Sequence, residues 1–387
     1  MSVYFMHKNV WSLVLVMVAS FLGTFSFRLS VPVVAFYARL VLEASAFSVG
    51  ALMSVFFAFR AVGSVVAGRV FRERALFLAV VCFCVAAVLI PLYGIVGNVV
   101  LLMLLRAVHG LVLGFAWTTV QVIVGYIAPS GLRGTVYALY FAVGALAFPT
   151  ADYVYSLLAY APREVPLLLA SFLMCVTAGL VALVKFPKEG EEKPRQRRRR
   201  ETSAPLVLLV LFVFFTRLVS AFTMSDIIYI LLKEWLSLTR SLAAQLLALM
   251  SGIGVAVSLP INFLADKLSD RIAILTVGLL MSLGILLFGL SIGTCCLGLA
   301  LLIIGARCLV PLSRRLAIAQ RGARGVGYVS AAGNIGTVLS SLIVGALYNI
   351  IRQAHTLTLS LAALAAITIL LISILLSIKI STSTSGK

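Results

Sequence analysis

Five arginine residues stand inside long apolar stretches of this sequence, where a charged side chain is unusual. They are Arg28, Arg60, Arg106, Arg217 and Arg307. An arginine at the centre of a bilayer costs about 3 kcal/mol on insertion scales, so five that face lipid would cost on the order of 15 kcal/mol. We therefore expect these side chains to face protein or water. A guanidinium group keeps its charge and offers paired hydrogen bonds, so the set is suited to binding a carboxylate or a phosphate.

Only two carboxylates, Asp152 and Asp226, lie in the same apolar stretches. A desolvated carboxylate beside an arginine can alternate between an ion pair and a protonated acid, which is the chemistry of a proton-coupling site. Asp226 is the first choice for this role and Asp152 is the second. The alternative is structural: the arginines bond to backbone carbonyls, to these two carboxylates, or across an interface between the halves of the chain.

The composition of the chain predicts the elements that position these side chains. Hydrophobic residues make up 62% of its 387 residues and charged residues 11%, whereas a soluble domain averages roughly 45–50% and 25%. A bilayer crossing takes about 20 apolar residues. We place such segments at 11–36, 47–68, 75–96, 98–121, 134–158, 166–184, 205–231, 241–264, 272–292, 294–313, 326–350 and 356–380. The prediction is an all-α polytopic membrane protein with twelve transmembrane helices.

The net charge of +19 comes mainly from basic residues in the short connections between these segments. Because cytoplasmic loops retain Lys and Arg, an intracellular N-terminus accounts for their distribution. We therefore expect a multi-pass protein of the cell membrane with both termini in the cytoplasm. The basic run from Lys193 to Arg200 should set this orientation and attract anionic lipid headgroups, at about 1 kcal/mol per basic residue. No nucleic-acid partner is expected.

The chain is predicted to consist of two related halves. These are residues 1–186 and 205–387, and residues 187–204 form a basic cytoplasmic linker between them. The pair Arg28-Leu29 recurs as Arg217-Leu218 at an offset of 189 residues, and the stretch 131–137 is repeated by 322–328 at an offset of 191. Matches at nearly one offset predict two pseudo-symmetric six-helix bundles, which is a common plan of secondary transporters.

The connection after the eighth segment carries the strongest local motif. Residues 262–271 read N-F-L-A-D-K-L-S-D-R and resemble the G-x-L-A-D-K/R-x-G-R-R loop of the major facilitator superfamily, with two glycine positions and one arginine position replaced. The counterpart in the first half, residues 63–74, keeps glycine and basic residues but has no Asp. The resemblance implies that Asp266 and Arg271 act in a cytoplasmic gate, where the carboxylate interacts with a neighbouring helix end.

The fourth and fifth segments carry two further partial motifs. Arg106, Gly110 and Gly114 form an R-x-x-x-G-x-x-x-G pattern that resembles the fourth helix of many proton-coupled members of the superfamily. This spacing puts the three residues on one helix face, and the glycines allow close helix approach, so we expect them to take part in gating. Residues 144–149 are similar to the G-x-x-x-G-P of drug antiporters in the superfamily, with Phe148 at the second glycine position.

The resemblance covers essentially the whole chain and implies a central cavity lined by segments 1, 4, 7 and 10. Each of these segments carries one of four arginines, namely Arg28, Arg106, Arg217 and Arg307. We expect these four to line a substrate cavity. His109, one turn from Arg106, is expected there as a cavity residue or proton relay, with a helix-contact role as the alternative. Arg60 is expected to be structural.

These features favour a secondary carrier that works by alternating access, with a proton as coupling ion and an organic anion as substrate. The partial motifs suggest the alternative, a proton-coupled efflux permease for drugs or sugars. A channel would need a selectivity-filter motif, and a membrane-embedded enzyme would need a cluster of acidic, His or Cys residues. An ATP-driven pump would need a G-x-x-x-x-G-K-[ST] loop. The sequence has none of these features. We expect a monomer that is not an enzyme and uses neither a cofactor nor a metal.

Overall fold

The computed structural model describes residues 2–70, 74–128, 133–184, 203–267, 269–353 and 355–385. Within these ranges the chain forms thirteen α-helices, a short 3-10 helix at Ala221–Met224, and no strand. The α-helices are α1 (Ser2–Leu40), α2 (Ala46–Val70), α3 (Ala75–Leu92), α4 (Val99–Ile127), α5 (Arg133–Leu158), α6 (Glu164–Ala182), α7 (Ser203–Ser220), α8 (Asp226–Trp235), α9 (Arg240–Lys267), α10 (Asp270–Leu290), α11 (Ile292–Ala346), α12 (Tyr348–Gln353) and α13 (His355–Ser385). The all-α fold is confirmed.

Twelve helical stretches of the described chain are long and apolar enough to cross a membrane, and each overlaps one predicted segment. The distribution of side chains is the reverse of that in a soluble protein, because large apolar side chains are exposed and charged side chains are buried. Phe77 and Phe172 are 67% and 63% exposed, whereas Arg28 and Arg106 are 1% and 0% exposed. Soluble proteins rarely expose large apolar patches, so this surface is suited to lipid. The prediction of twelve transmembrane helices is confirmed.

The helices form two compact units. Unit 1 comprises α1 to α6 together with Leu238–Ala248, a stretch that includes the start of α9. Unit 2 comprises α7, α8, the remainder of α9, and α10 to α13. The predicted linker, 187–204, lies outside the described residues except for Ser203 and Ala204, which begin α7.

Four helix pairings of unit 1 recur in unit 2. In unit 1, α1 packs on α5 and α6, and α3 packs on α4 and α6. In unit 2, α7 and α10 each pack on α11 and α13. Gly284 of α10 faces Leu302 in the first part of α11, and Gly336 in its last part faces α7. The first segment of each unit therefore packs on the fifth and sixth, which supports an origin by duplication.

The seventh segment differs from its prediction as one continuous helix over 205–231. The helix α7 ends at Ser220, and α8 starts only at Asp226. Hydroxyl groups of Ser220, Thr223 and Ser225 donate to backbone carbonyl oxygens in this stretch, and side chains of this kind compete with helical hydrogen bonds. The amide of Phe222 is satisfied by Ser340 Oγ at 2.9 Å, which explains how irregular backbone can be buried here.

The tenth and eleventh segments were predicted as separate helices and instead lie in the single helix α11. This helix is not straight, because Arg314 Nη1 donates a hydrogen bond to Ser330 Oγ, 16 residues further along. A straight helix of that length spans about 24 Å, farther than one side chain reaches. The chain therefore bends between the two segments, and each can cross the membrane separately.

Candidate functional site

In unit 1, Arg28 of α1 and Asp152 of α5 form a buried ion pair. Arg28 Nε lies 2.8 Å from Asp152 Oδ1, and Arg28 Nη2 lies 2.9 Å from Oδ2. The guanidinium also lies 5.5 Å from the ring centroid of Phe148. This paired geometry is the strong form of an arginine–carboxylate contact. The structure thus joins a predicted cavity residue to a predicted proton-coupling residue.

The packing of α1 on α5 explains why these two side chains meet. A Cβ on Gly144 would lie 2.9 Å from Ser20 Oγ, so the two helices are close at this level. Arg28 follows Ser20 by eight residues, and Asp152 follows Gly144 by the same number. Eight residues are about two helical turns, which keeps each residue on the same face of its helix.

Arg106 and His109 lie together among aromatic rings in unit 1. Both are fully buried. Arg106 Cζ is 5.1 Å from the ring centroid of Tyr93 and 5.8 Å from that of Phe27. His109 Nδ1 is hydrogen-bonded to the hydroxyl of Tyr93 at 2.5 Å, and its ring forms T-shaped contacts with the rings of Phe27 and Phe56. Within the described side chains, His109 Nε2 has no hydrogen-bond partner.

Gly110 and Gly114 lie at the contact between α4 and α2. A Cβ on Gly110 would lie 2.1 Å from the carbonyl oxygen of Phe56, and a Cβ on Gly114 would lie 2.2 Å from that of Arg60. Gly63 of α2 makes the same kind of close contact with α4, because a Cβ on Gly63 would lie 2.1 Å from the carbonyl oxygen of Leu111. The glycine motif therefore brings two helix backbones together. Whether this contact moves in gating stays a prediction.

Replacing Gly110 by Ala is expected to destabilise unit 1. The new methyl group would meet the backbone of α2, which cannot move aside like the end of a side chain. Overpacking of this kind costs about 1–3 kcal/mol, or more where the backbone is involved. The apparent melting temperature of the purified protein in detergent measures the effect. Gly179→Ala in α6 is the control, because a Cβ there meets nothing within 4 Å, and equal melting temperatures for both variants would contradict the close α2–α4 contact.

Arg60 is half-buried on α2. Its Cζ lies 5.4 Å from the ring centroid of Phe57, and it interacts electrostatically with Tyr140 of α5. Tyr140 in turn interacts with the side chains of Ser20 and Gln121. These contacts place Arg60 against neighbouring side chains of unit 1. They are consistent with the expected structural role, which stays a prediction.

Unit 2 holds two neighbouring arginines. Arg217 of α7 packs its Cβ against Gly336 and its Cγ against Gly333, both of α11, and its side chain is half-buried. Its charged neighbour is Arg314, which donates a hydrogen bond to Ser330. Among the described residues, no carboxylate pairs with Arg217. Sequence reasoning missed Arg314 because it treated this residue as part of a cytoplasmic connection.

The repeat offset of 189 relates residues of α5 to residues in the last part of α11. It relates Gly144 to Gly333, and the structure places these glycines alike: Gly144 faces α1 of unit 1, and Gly333 faces α7 of unit 2. The same offset relates Asp152 to Ser341. The side chain of Ser341 is buried, and its Oγ has no hydrogen-bond partner within the described part of the chain. The offset of 191, which relates 131–137 to 322–328, relates Asp152 to Ile343 instead. At either offset, unit 2 has no carboxylate where unit 1 has Asp152.

Arg307 and Asp226 also belong to unit 2. Arg307 is half-buried in the first part of α11. Asp226 is fully buried in the first turn of α8, where the positive end of the helix dipole favours a negative charge. The hypothesis that Arg28, Arg106, Arg217 and Arg307 share one cavity stays a prediction.

The two predicted gating residues with charged side chains lie near the junction of α9 and α10. Arg271 is exposed in the first turn of α10, which is capped by Ser269 Oγ. Asp266 lies near the end of α9, but its side chain is outside the described part of the structure. Their gating role stays a prediction. Elsewhere in the described chain, no three His, Cys, Asp or Glu side chains converge as metal ligands would.

Comparison with known proteins gives the family. A family model described as Major Facilitator Superfamily matches residues 16–312. No curated protein sequence matches the chain significantly.

Solved structures share the fold over nearly the full length. They include a bacterial homolog of the human lysosomal transporter Spinster, at 14% identity, a TM-score of 0.74 and coverage of 96% of both chains. The nucleoside transporter NupG matches at 14% identity and a TM-score of 0.70, over 94% of this chain and 98% of that one. The human organic anion transporter MFSD10 matches at 14% identity and a TM-score of 0.68, over 95% and 99%. The chain therefore belongs to the Major Facilitator Superfamily and is a multi-pass membrane transporter.

Proposed function

We propose that this protein is a secondary active carrier of a small organic anion, which binds to Arg217 with the help of Arg314. The observation that carries the proposal is the difference between the two units. Arg28 is neutralised by Asp152, whereas the positions of unit 2 that correspond to Asp152 at the two repeat offsets are Ser341 and Ile343, and neither is a carboxylate. Arg28 has a counterion within unit 1, whereas Arg217 has none among the described residues of unit 2. Arg217 is therefore suited to bind an anionic substrate.

The surroundings of Arg217 support an anion as that partner. Arg217 and Arg314 repel each other, and this repulsion is stronger away from bulk water than in it. A carboxylate or phosphate would relieve the repulsion and accept paired hydrogen bonds from a guanidinium. In this proposal the carrier works by alternating access, as a monomer in the cell membrane with both termini in the cytoplasm.

Proton coupling is assigned in this proposal to Asp152 and Asp226. Both carboxylates are fully buried, but their surroundings differ. Asp152 is paired with Arg28, so its protonation would release a buried cation and change the contact between α1 and α5. Asp226 begins α8, directly after the break in the seventh segment, where a change of charge would act on an irregular part of the chain. His109, bonded to Tyr93, is the proposed relay.

The names of the structural relatives do not choose the substrate. MFSD10 is described as an organic anion transporter and NupG as a nucleoside transporter, yet both share this fold at the same low identity. The substrate class therefore has to come from the charges of this chain, and these favour an anion.

A thermal-shift screen of the purified protein in detergent tests the proposal. The panel contains organic acids, phosphorylated metabolites, sugars, amino acids and cationic drugs. A ligand at about 100 times its Kd should stabilise the folded state by roughly 2.7 kcal/mol and raise the melting temperature. We expect an organic acid or a phosphorylated compound to do so in the wild type and not in Arg217→Gln. Stabilisation by sugars or cationic drugs alone would contradict the anion site and favour the efflux permease.

A further inference from the structure

A cavity of about 410 Å³ lies at the end of unit 1 where α1 and α5 end and α6 and α9 begin. Its volume is within the roughly 300–1,000 Å³ range of small-molecule pockets. Its exposed wall is about half polar and half apolar, and its apolar and aromatic lining residues include Val33, Phe36, Tyr37, Tyr155, Leu158 and Pro166. The charged groups of the lining are Arg163, Glu164 and Arg240. None of the arginines described in the preceding sections lines this cavity.

The aromatic rings of the wall are held in place by their neighbours. Phe36 and Tyr155 are stacked, with ring centroids 6.2 Å apart and an interplanar angle of 18°. The hydroxyl of Tyr37 donates a hydrogen bond to the carbonyl oxygen of Val96 at 2.8 Å. These anchored rings make the wall a preformed surface, so a ligand need not order it on binding.

Both arginines place a guanidinium group over one of these rings. Arg163 Cζ lies 4.6 Å from the ring centroid of Tyr37, and Arg240 Cζ lies 5.7 Å from that of Phe36. A guanidinium in a cation–π contact still has N–H groups that can donate hydrogen bonds to an anion. The start of α9 is fixed nearby, because Ser241 Oγ donates to the carbonyl oxygen of Ser156 of α5 at 2.9 Å.

The cavity carries an excess of positive charge. Arg163 Nε lies 3.3 Å from Oε1 of the adjacent Glu164, whereas no carboxylate in the described part of the chain pairs with Arg240. Arg240 is the first residue of α9, and Arg163 is the N-cap of α6. Both stand at the positive end of a helix dipole, where a cation is unfavourable and an anion is favourable. The potential at the cavity therefore attracts an anion.

We propose that this cavity binds a small aromatic carboxylate. The carboxylate pairs with the edge of the Arg240 guanidinium through two parallel hydrogen bonds, and the ring of the ligand packs against the apolar part of the wall beside Phe36 and Tyr155. Binding needs both parts of the ligand, the charge for Arg240 and the ring for the wall. The inference does not rest on the proposed function, because the cavity lies in unit 1 and Arg217 in unit 2.

Calorimetric titration of the full-length protein with benzoate tests this site. All measurements use the Arg217→Gln background, which removes binding at the proposed substrate site. We expect this protein to bind benzoate and not benzamide, the neutral counterpart. Adding Arg240→Gln should weaken benzoate binding by about 10-fold or more, as loss of a hydrogen bond to a charged group predicts.

The matched control is Arg39→Gln, which removes a positive charge from the same end of unit 1. Arg39 bonds the carbonyl oxygen of Ala44 at 3.0 Å and does not line the cavity, so benzoate affinity should stay unchanged. Equal benzoate affinity with and without Arg240→Gln would overturn the proposal, and so would equal binding of benzamide. Arg240 is exposed, so its replacement should not prevent folding. If it does, Arg240→Lys keeps the charge without the paired edge and should give an intermediate loss.

Discussion

Arg217→Gln is expected to lower uptake of the anionic substrate into proteoliposomes by about 10- to 100-fold, since a hydrogen bond to a charged group contributes about 1.5–3 kcal/mol. Glutamine retains polarity but removes the charge and the paired N–H geometry that a carboxylate or phosphate needs. The substrate is the anion found in the thermal-shift screen, and initial rates over a range of concentrations measure the effect. Because the contact is to the substrate, the Michaelis constant should rise.

Two further variants decide whether the loss is specific to Arg217. Arg217→Lys keeps the charge and loses the fork geometry, so uptake should be intermediate. Arg74→Gln removes an exposed basic residue that precedes α3 and should transport like the wild type. Normal uptake by a well-folded Arg217→Gln protein would contradict the anion site and give Arg217 a structural role. An equal loss in Arg74→Gln would point to net charge or membrane insertion as the cause.

The number and position of the transmembrane helices followed from the sequence because apolar length alone determines which stretches can span a bilayer. The interruption of the seventh segment did not. Ser220, Thr223 and Ser225 are each compatible with a continuous helix, and the break also depends on Ser340, which lies 118 residues from the Phe222 amide that it satisfies. Hydropathy contains no information about such a contact.

The candidate residues were easier to recognise than their partners. An arginine or aspartate in an apolar segment is visible in one sequence, but the pairing of Arg28 with Asp152 joins residues that are 124 positions apart. The internal repeat could have predicted more about these partners than the individual residues did. The offset that relates Arg28 to Arg217 also relates Asp152 to Ser341. The sequence alone therefore indicates that unit 2 lacks a carboxylate at this position. Tyr93 and Arg314 had no such signal, because their roles depend on how the helices pack.

The buried pair in unit 1 gives the second large prediction, on both stability and coupling. Asp152→Asn leaves Arg28 buried beside a neutral partner, and removing one member of a buried ion pair costs about 3–5 kcal/mol. We expect the lower end of that range, since Asn keeps a carbonyl acceptor. The apparent melting temperature in detergent should fall. If Asp152 couples the proton, accumulation of substrate driven by a pH gradient should be lost while exchange between equal substrate pools continues.

The double variant Arg28→Gln/Asp152→Asn separates these two effects. It removes both charges and leaves two side chains that can still bond to each other, so stability should recover towards the wild type because no unpaired charge remains buried. Its pH-driven accumulation should stay absent, since the titratable group is gone. Full recovery of accumulation would show that Asp152 serves only to neutralise Arg28, and Asp226→Asn would then be the decisive variant. If Asp226→Asn also accumulates substrate under a pH gradient, neither buried carboxylate couples a proton, and the gradient of the anion itself must drive transport.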